Sequence, residues 1–206
     1  MLHVGMTGNI ASGKSQAAHV FAELGAHIIS ADLIAHGLLA KGCTIYERVV
    51  AAFGNGILAP DGSIERRKLG EIVFSDAEKR AQLNGVIHPA VREEIMRRVH
   101  EYAESFPRGI VIVDAALLVE SGSYRLYDYL IVVTCDPTLQ LARIINRDGL
   151  TVEQARVRMA AQMPVEEKLR LASYTIDTSR TFKETREQIE AIYRDLVLQE
   201  LRLRTS

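Results

Sequence analysis

Short apolar runs alternate with amphipathic segments along most of the chain. The runs are bounded by Gly, Pro or acidic residues, as buried parallel strands are; they lie at residues 2–6, 27–30, 109–114, 128–134 and 174–177. Helical spacing of apolar residues predicts helices at 14–24, 33–39, 44–53, 66–74, 76–106, 138–147, 151–162, 165–171 and 183–203. Because parallel strands are joined by long, usually helical crossovers, this order predicts an α/β fold with a parallel sheet of about five strands.

The alternation is interrupted between the second and third strands, where helical segments follow one another without a strand. This stretch is too long for a simple crossover, so it predicts an inserted helical domain. Within its last helix, Pro89 is expected to kink or restart the helix just after His88. A second helical pair, around Pro164, has short breaks at both ends and suggests a movable lid. The predicted division is a core of residues 1–40, 108–138 and 172–206, a substrate-binding insertion of 41–107 and a lid of 139–171.

Composition narrows the class of protein. The chain has 206 residues, of which 48% are hydrophobic and 25% charged, as in ordinary soluble domains. Its net charge of −1 gives no support for a nucleic acid or a membrane as the main partner. Cys43 and Cys135 are far apart and have no metal-ligand spacing, which favours inert thiols in a reducing cytosol. The chain starts directly with a strand pattern, so we expect no signal peptide and a cytoplasmic protein.

The turn between the first strand and the first helix carries the pattern G-x-x-x-x-G-K-S. Its glycines let backbone N–H groups curl around phosphate oxygens, and the following helix directs its positive dipole end at them. Lys14 can reach the β- and γ-phosphates, and the Ser15 hydroxyl can bind Mg²⁺. The alternative is a Gly-rich turn with an exposed lysine. The pattern therefore predicts a P-loop NTPase-type fold that binds a nucleoside triphosphate with Mg²⁺ through Gly8, Asn9, Ile10, Ala11, Ser12, Gly13, Lys14, Ser15 and Gln16.

Two acids follow predicted strands. Ligands of open α/β sheets bind at the carboxyl ends of the strands. Asp32 follows the second strand and is either a catalytic base or a helix N-cap. Asp114 ends the third strand after four β-branched residues, a Walker B pattern that predicts a magnesium ligand, with a capping role as the alternative.

Arg143 and Arg147 stand four residues apart on one face of a predicted helix. An anionic partner would relieve their mutual repulsion, although a solvated basic face is the alternative. Together with Lys14 and Mg²⁺ they could compensate the charge of a phosphoryl group in transfer, with Asp32 as the base. This combination favours a small-molecule kinase. A GTPase is not favoured, because the guanine-recognition pattern Asn-Lys-x-Asp does not occur.

Several further motifs, taken in order, resemble those of the dephospho-coenzyme A kinase family across essentially the whole chain. The matching segments are Val4–Ser15, Ile28–Ala35, Leu58–Arg66, Leu83–Pro89 (L-N-x-I-x-H-P), Val113–Glu120 (V-P-L-L-F-E) and Gln140–Asp148 (Q-x-x-R-x-x-x-R-D). The resemblance implies transfer of the ATP γ-phosphoryl to the ribose 3′-hydroxyl of dephospho-CoA, with Asp32 as base. It also implies a nucleotide-binding core, a helical substrate domain and a lid.

The resemblance also suggests where the acceptor binds. Arg66 and His88 are candidates in the helical insertion, although a histidine before proline could equally be a structural cap. Leu117 and Glu120 are candidates in the V-P-L-L-F-E-like segment. We expect a monomer or a weak homo-oligomer.

The chain departs from the family's pattern at a few positions. Ser30 replaces the first acid of a D-A-D segment, Gln16 replaces Thr, and Ala116 replaces Pro. Ala11 replaces a glycine, which is tolerable unless that position needs positive φ. The segment Ala172–Thr178 resembles A-D-Y-V-I-D-N but has Thr178 in place of the final Asn, so the adenine-side contact that the resemblance implies does not carry over directly. The alternatives are another P-loop kinase, of nucleoside or shikimate type, and a nucleotide-binding regulatory protein with a degenerate site.

Overall fold

The computed structural model describes residues 1–203, except for the side chains of Phe74 and Ser75. The last three residues of the predicted core segment 172–206 therefore lie outside the described residues. The strands are β1 (Leu2–Gly8), β2 (His27–Ser30), β3 (Ile110–Asp114), β4 (Tyr129–Thr134) and β5 (Tyr174–Asp177). The α-helices are α1 (Lys14–Glu23), α2 (Ala31–Leu38), α3 (Thr44–Phe53), α4 (Arg66–Ser75), α5 (Ala77–Ser105), α6 (Pro137–Asp148), α7 (Val152–Ala160), α8 (Val165–Leu169) and α9 (Phe182–Arg202).

The five strands form one parallel sheet in the order β2-β3-β1-β4-β5. The predicted α/β fold with a five-stranded parallel sheet flanked by helices is thus confirmed. The three central strands, β3, β1 and β4, are recognisable in the sequence because they are buried on both faces and therefore form apolar runs.

The two faces of the sheet are covered differently. Alternate strand residues such as Val4, Ile112 and Ile131 pack in one cluster with apolar residues of α1 and α9. On the opposite face, Leu130 and Val132 pack with the segment after β3 and with residues of and around α8. The period-2 alternation of β4 therefore serves two cores.

The chain forms two compact units, which are Met1–Ser30 together with the chain from Tyr102 onward, and Ala31–Glu101. The second unit is helical apart from an isolated bridge between Leu58 and Ile64. Its own core is built on five buried residues, which are Ile45, Val49, Ile57, Ile64 and Leu69.

The expected restart of the helix after His88 does not occur, because α5 runs continuously from Ala77 to Ser105 with Pro89 inside it. Proline removes one helical hydrogen bond and crowds the carbonyl four residues earlier. The residue four positions before Pro89 is Gly85, which has no side chain. Four apolar residues of α5 pack on the core of the helical unit: Leu83, Val86, Ile87 and Ala90. Tertiary packing on both sides of Pro89 holds the helix together.

Candidate active site

The turn between β1 and α1, residues 9–13, has the backbone shape that its glycines predict. Gly13 has φ 90°, and a Cβ there would lie 3.0 Å from the side chain of Thr178. A Cβ at Gly8 would lie 2.5 Å from the carbonyl oxygen of Val133. Crowding by backbone therefore excludes a side chain at Gly8, whereas positive φ together with a tight contact favours glycine at position 13.

Ala11 adopts the left-handed conformation, with φ 57°. The position thus does have the positive φ that would make a glycine preferable. Its carbonyl oxygen accepts a hydrogen bond from Arg143 Nη1 at 3.4 Å. The loop tolerates the alanine at the cost of a residue in a conformation that side chains disfavour.

Lys14 and Asp114 are in direct contact through an ion pair between Nζ and Oδ1. Asp114 ends β3 and is buried, and it pairs in register with Met6 of β1 and Ser30 of β2. Ser15 is exposed in the first turn of α1, next to Lys14, and so is Gln16. The carboxyl end of the sheet thus brings together the lysine and the carboxylate that the sequence assigned to phosphate and metal.

Arg143 reaches the phosphate loop from α6. Its guanidinium donates to Thr178 Oγ1 and to the Thr178 carbonyl oxygen, both at 2.9 Å. Thr178 is buried, and its hydroxyl donates to the Ser12 carbonyl oxygen at 2.8 Å. Sequence reasoning noted Thr178 only as a departure, yet the threonine joins the phosphate loop to Arg143.

Arg147 has different surroundings from Arg143. It forms two hydrogen bonds with Asp148, at 2.8 and 3.0 Å, and Arg158 of α7 contacts the same carboxylate at 2.9 Å. Hydrogen bonding from Arg147 lowers the pKa of Asp148. The two arginines thus share a helix but not a set of partners.

The connection between α7 and α8 also touches the phosphate loop, which the sequence did not indicate. Gln162 Oε1 accepts from the backbone N–H of Ile10 at 2.8 Å, and Asn9 Nδ2 donates to the Met163 carbonyl oxygen at 3.1 Å. Gln140 Nε2 donates to the Ile10 carbonyl oxygen at 2.8 Å. Within residues 1–203, Asn9 Oδ1 and Ser12 Oγ are buried without a hydrogen-bond partner.

The segment after β3 carries one exposed and one paired candidate for acceptor binding. Leu117 is 45% exposed, whereas its neighbour Leu118 is buried. The carboxylate of Glu120 binds Lys168 Nζ at 2.7 Å, and the Lys168 side chain is fully buried. Lys168 is a further residue that sequence reasoning missed.

The remaining candidates belong to the helical unit. Asp32 is exposed in the first turn of α2, and Arg66 is exposed at the start of α4. His88 is half-buried within α5, where burial and the nearby charge of Arg92 lower its pKa below 6.5. Both effects disfavour the charged imidazolium.

The parallel sheet, the Gly-rich turn leading into α1 and the lysine–carboxylate pair define a P-loop kinase fold. Comparison with known proteins gives the particular family. A sequence profile described as "Dephospho-CoA kinase" matches residues 2–184. The chain is 45% identical over 191 residues to the dephospho-CoA kinase of Symbiobacterium thermophilum, covering 93% of this chain and 80% of that protein. The chain belongs to the dephospho-CoA kinase family.

Solved structures agree with this assignment. A dephospho-CoA kinase from Campylobacter jejuni superposes with a TM-score of 0.70 and 30% identity, covering 96% of this chain and 98% of that one. Shikimate kinase from Acinetobacter baumannii, with a TM-score of 0.56 and 16% identity over 98% and 96% of the chains, shares the fold alone.

The protein is therefore an ATP-using enzyme, a dephospho-CoA kinase, which catalyses the final step of coenzyme A biosynthesis. The alternatives of a shikimate- or nucleoside-type kinase and of a regulatory protein are set aside. Among the residues that the structure describes, none of the helices is both long and apolar enough to cross a membrane.

Proposed function

We propose that the enzyme transfers the ATP γ-phosphoryl to the ribose 3′-hydroxyl of dephospho-CoA, with Asp32 as the general base. One observation carries this assignment. Ser30 ends β2 in register with Asp114, whose carboxylate binds Lys14. Asp32 follows Ser30 by only two residues, so the chain itself limits how far it can lie from that strand end. A carboxylate there can accept the proton that the hydroxyl loses.

Positive charge for the transferred phosphoryl would come from Lys14, Arg143 and Arg147. A triphosphate would compete with Asp114 for the Lys14 ammonium. The contact of Arg143 with the Ala11 carbonyl oxygen supports its role, because it keeps the guanidinium at the phosphate loop. Arg147 would have to exchange Asp148 for a phosphate oxygen. Phosphoryl transfer depends on such positioned charge more than on covalent chemistry.

The nucleotide would be held by residues 8–16, through the backbone N–H groups of the loop and of the first turn of α1. The side chains near Lys14 also fit Mg²⁺, which prefers oxygen ligands, because they include a hydroxyl (Ser15) and a buried carboxylate (Asp114). When bound, Mg²⁺ neutralises charge on the phosphate oxygens.

Acceptor binding is assigned to four side chains, which are Arg66, His88, Leu117 and Glu120. The exposure of Arg66 and Leu117 supports direct contact with a ligand. The residues predicted to form a substrate domain (41–107) and a lid (139–171) would contact the substrate when it binds.

Replacing Asp32 tests the assignment of the base. We expect Asp32→Asn and Asp32→Ala to lower kcat with dephospho-CoA by roughly 10²–10⁴-fold, with little change in ATP affinity measured by calorimetry. Glu78→Gln, at an exposed acid of the same helical unit, serves as the control and should retain activity. Near-normal turnover in Asp32→Asn, or loss of ATP binding, would make Asp32 structural.

Parallel assays with dephospho-CoA, adenosine and shikimate test acceptor choice. Only dephospho-CoA should be phosphorylated, and mass and NMR analysis should place the new phosphate on the 3′-oxygen. A phosphate on another hydroxyl would contradict the proposed geometry of transfer.

A further inference from the structure

Lys168 is the fully buried cation of α8, with a side chain that has 0% exposure. Its ammonium donates to the Ala116 carbonyl oxygen at 3.2 Å and pairs with Glu120 at 2.7 Å. Burying a lysine is costly unless its charge is paired and its hydrogen bonds are made. The position is thus tolerated only while residues 116 and 120 stay where they are.

Both partners of Lys168 belong to the segment Ala115–Glu120, which we call the post-β3 loop. The Ala116 carbonyl oxygen accepts a second hydrogen bond, from the buried Thr7 hydroxyl of β1 at 2.9 Å. Leu118 and Val119 are buried in a cluster that includes Val165 and Leu169 of α8. Lys168 therefore fixes the loop at its beginning and at its end.

Leu117 lies between these two anchors and is exposed, whereas the next residue, Leu118, is buried. Its position depends on the loop conformation, because residues 116 and 120 are held and residue 118 is packed. A loop that loses its anchors would present Leu117 less accurately, and small misplacements of positioning groups are costly in enzymes.

We propose that Lys168 is a positioning residue for acceptor binding, which holds the post-β3 loop through Ala116 and Glu120. Glu120, which is assigned to acceptor binding, is in this proposal also the carboxylate that pairs with Lys168 and so is itself held in place. This inference rests on the proposed assignment of the post-β3 loop to dephospho-CoA.

Kinetics and thermal unfolding of variants test the role. Lys168→Met keeps the apolar stem and removes the ammonium; we expect KM for dephospho-CoA to rise at least about tenfold, with KM for ATP changed less than about twofold. Glu120→Gln should raise KM for dephospho-CoA in the same direction and should lower Tm most, because it leaves a buried ammonium without its carboxylate. Lys183→Met, at an exposed lysine that pairs with Glu187, is the control.

The double variant Lys168→Met/Glu120→Gln separates positioning from stability. With both charges removed, Tm should recover relative to Glu120→Gln, whereas KM for dephospho-CoA should stay raised. A KM that recovers together with Tm, or an equal rise in KM for ATP, would reduce Lys168 to a structural role. Leu117→Ala tests the loop assignment separately, since an unchanged KM there would remove the proposed acceptor contact whatever Lys168 does.

Discussion

Two residues of the phosphate loop, Ala11 and Gly13, have positive φ. Gly13, with φ 90°, faces the Thr178 side chain, and a Cβ there would lie only 3.0 Å from Thr178 Cγ2 and Oγ1. Ala11, with φ 57°, carries a Cβ into the left-handed region, which costs about 1–2 kcal/mol. The glycine motif predicted the first requirement. For Ala11 the sequence indicated only that alanine is tolerable unless the position needs positive φ, because the motif does not encode the backbone angles at a substituted position.

Substitution of Gly13 should therefore damage the loop. We expect Gly13→Ala to lower the free energy of unfolding by roughly 1–3 kcal/mol and to weaken ATP binding, because Thr178 or the loop must move. Gly37→Ala is the matched control, since nothing lies within 4 Å of a Cβ at this position in α2. Alanine should be neutral or stabilising there. Equal effects of the two variants would contradict the crowding argument.

His88 gives a pH prediction with a definite sign. Burial and the charge of Arg92 lower its pKa in the folded protein, so the unfolded chain binds more protons below pH 6.5. Stability should consequently be lost as pH falls below 6.5 and should be unaffected by His88 above it. Chemical denaturation between pH 7.5 and 5.5 should show that the free energy of unfolding falls less on acidification in His88→Gln than in the wild type. A His88 resonance that titrates above 6.5 by NMR would reverse the sign.

The residues that sequence reasoning missed share one property. Gln162 contacts Ile10 across 152 positions of sequence, and Thr178 contacts Ser12 across 166. Motif spacing reports on neighbours in the chain, such as Lys14 and Ser15. Contacts that depend on how helices return to the sheet leave no local pattern, so these side chains became visible only in the fold.

Among the helices and strands, the residues that cap helix ends were the most informative part of the sequence. The sequence Thr151-Val152-Glu153-Gln154 has the spacing of a capping box, and Thr151 and Gln154 form one at the start of α7, with hydrogen bonds of 3.0 and 3.2 Å. At Pro89 the predicted long helix is present and only the restart after His88 is wrong, because packing of α5 outweighs the local cost of proline. Caps act within a few residues and can be recognised locally, whereas the packing that rescues a proline is a property of the whole unit.

Removing the cap of α7 should loosen that helix. Thr151→Ala is expected to cost about 1 kcal/mol, which corresponds to a fall in Tm of roughly 2–4 °C for a chain of this size. Thr151→Ser retains the hydroxyl and should remain close to wild type. If the alanine and serine variants melt together, the hydroxyl contributes nothing and helix propensity alone sets the stability of α7.

For the whole molecule, the sequence predicted that helices interrupt an α/β core, but it could not locate all the members of each core. The sheet unit gathers residues from both ends of the chain, such as Phe21 of α1 and Leu196 of α9, in one cluster. The helical unit builds a separate cluster around Val49 and Leu69. Because each unit has its own buried core, each can change its local stability when a ligand binds to it.

Hydrogen exchange should therefore map the two substrates onto different sets of amides. ATP at about 100 times its Kd stabilises the native state by about 2.7 kcal/mol, and we expect its protection to centre on residues 8–16. Dephospho-CoA should protect the post-β3 loop and the amides around Arg66 and His88. In Lys14→Ala the ATP-dependent protection should largely disappear, while protection by dephospho-CoA persists because its proposed contacts do not include Lys14. Protection by dephospho-CoA confined to the sheet unit would argue against Arg66 and His88 as acceptor ligands, because contacts to those side chains must slow the local opening of α4 and α5.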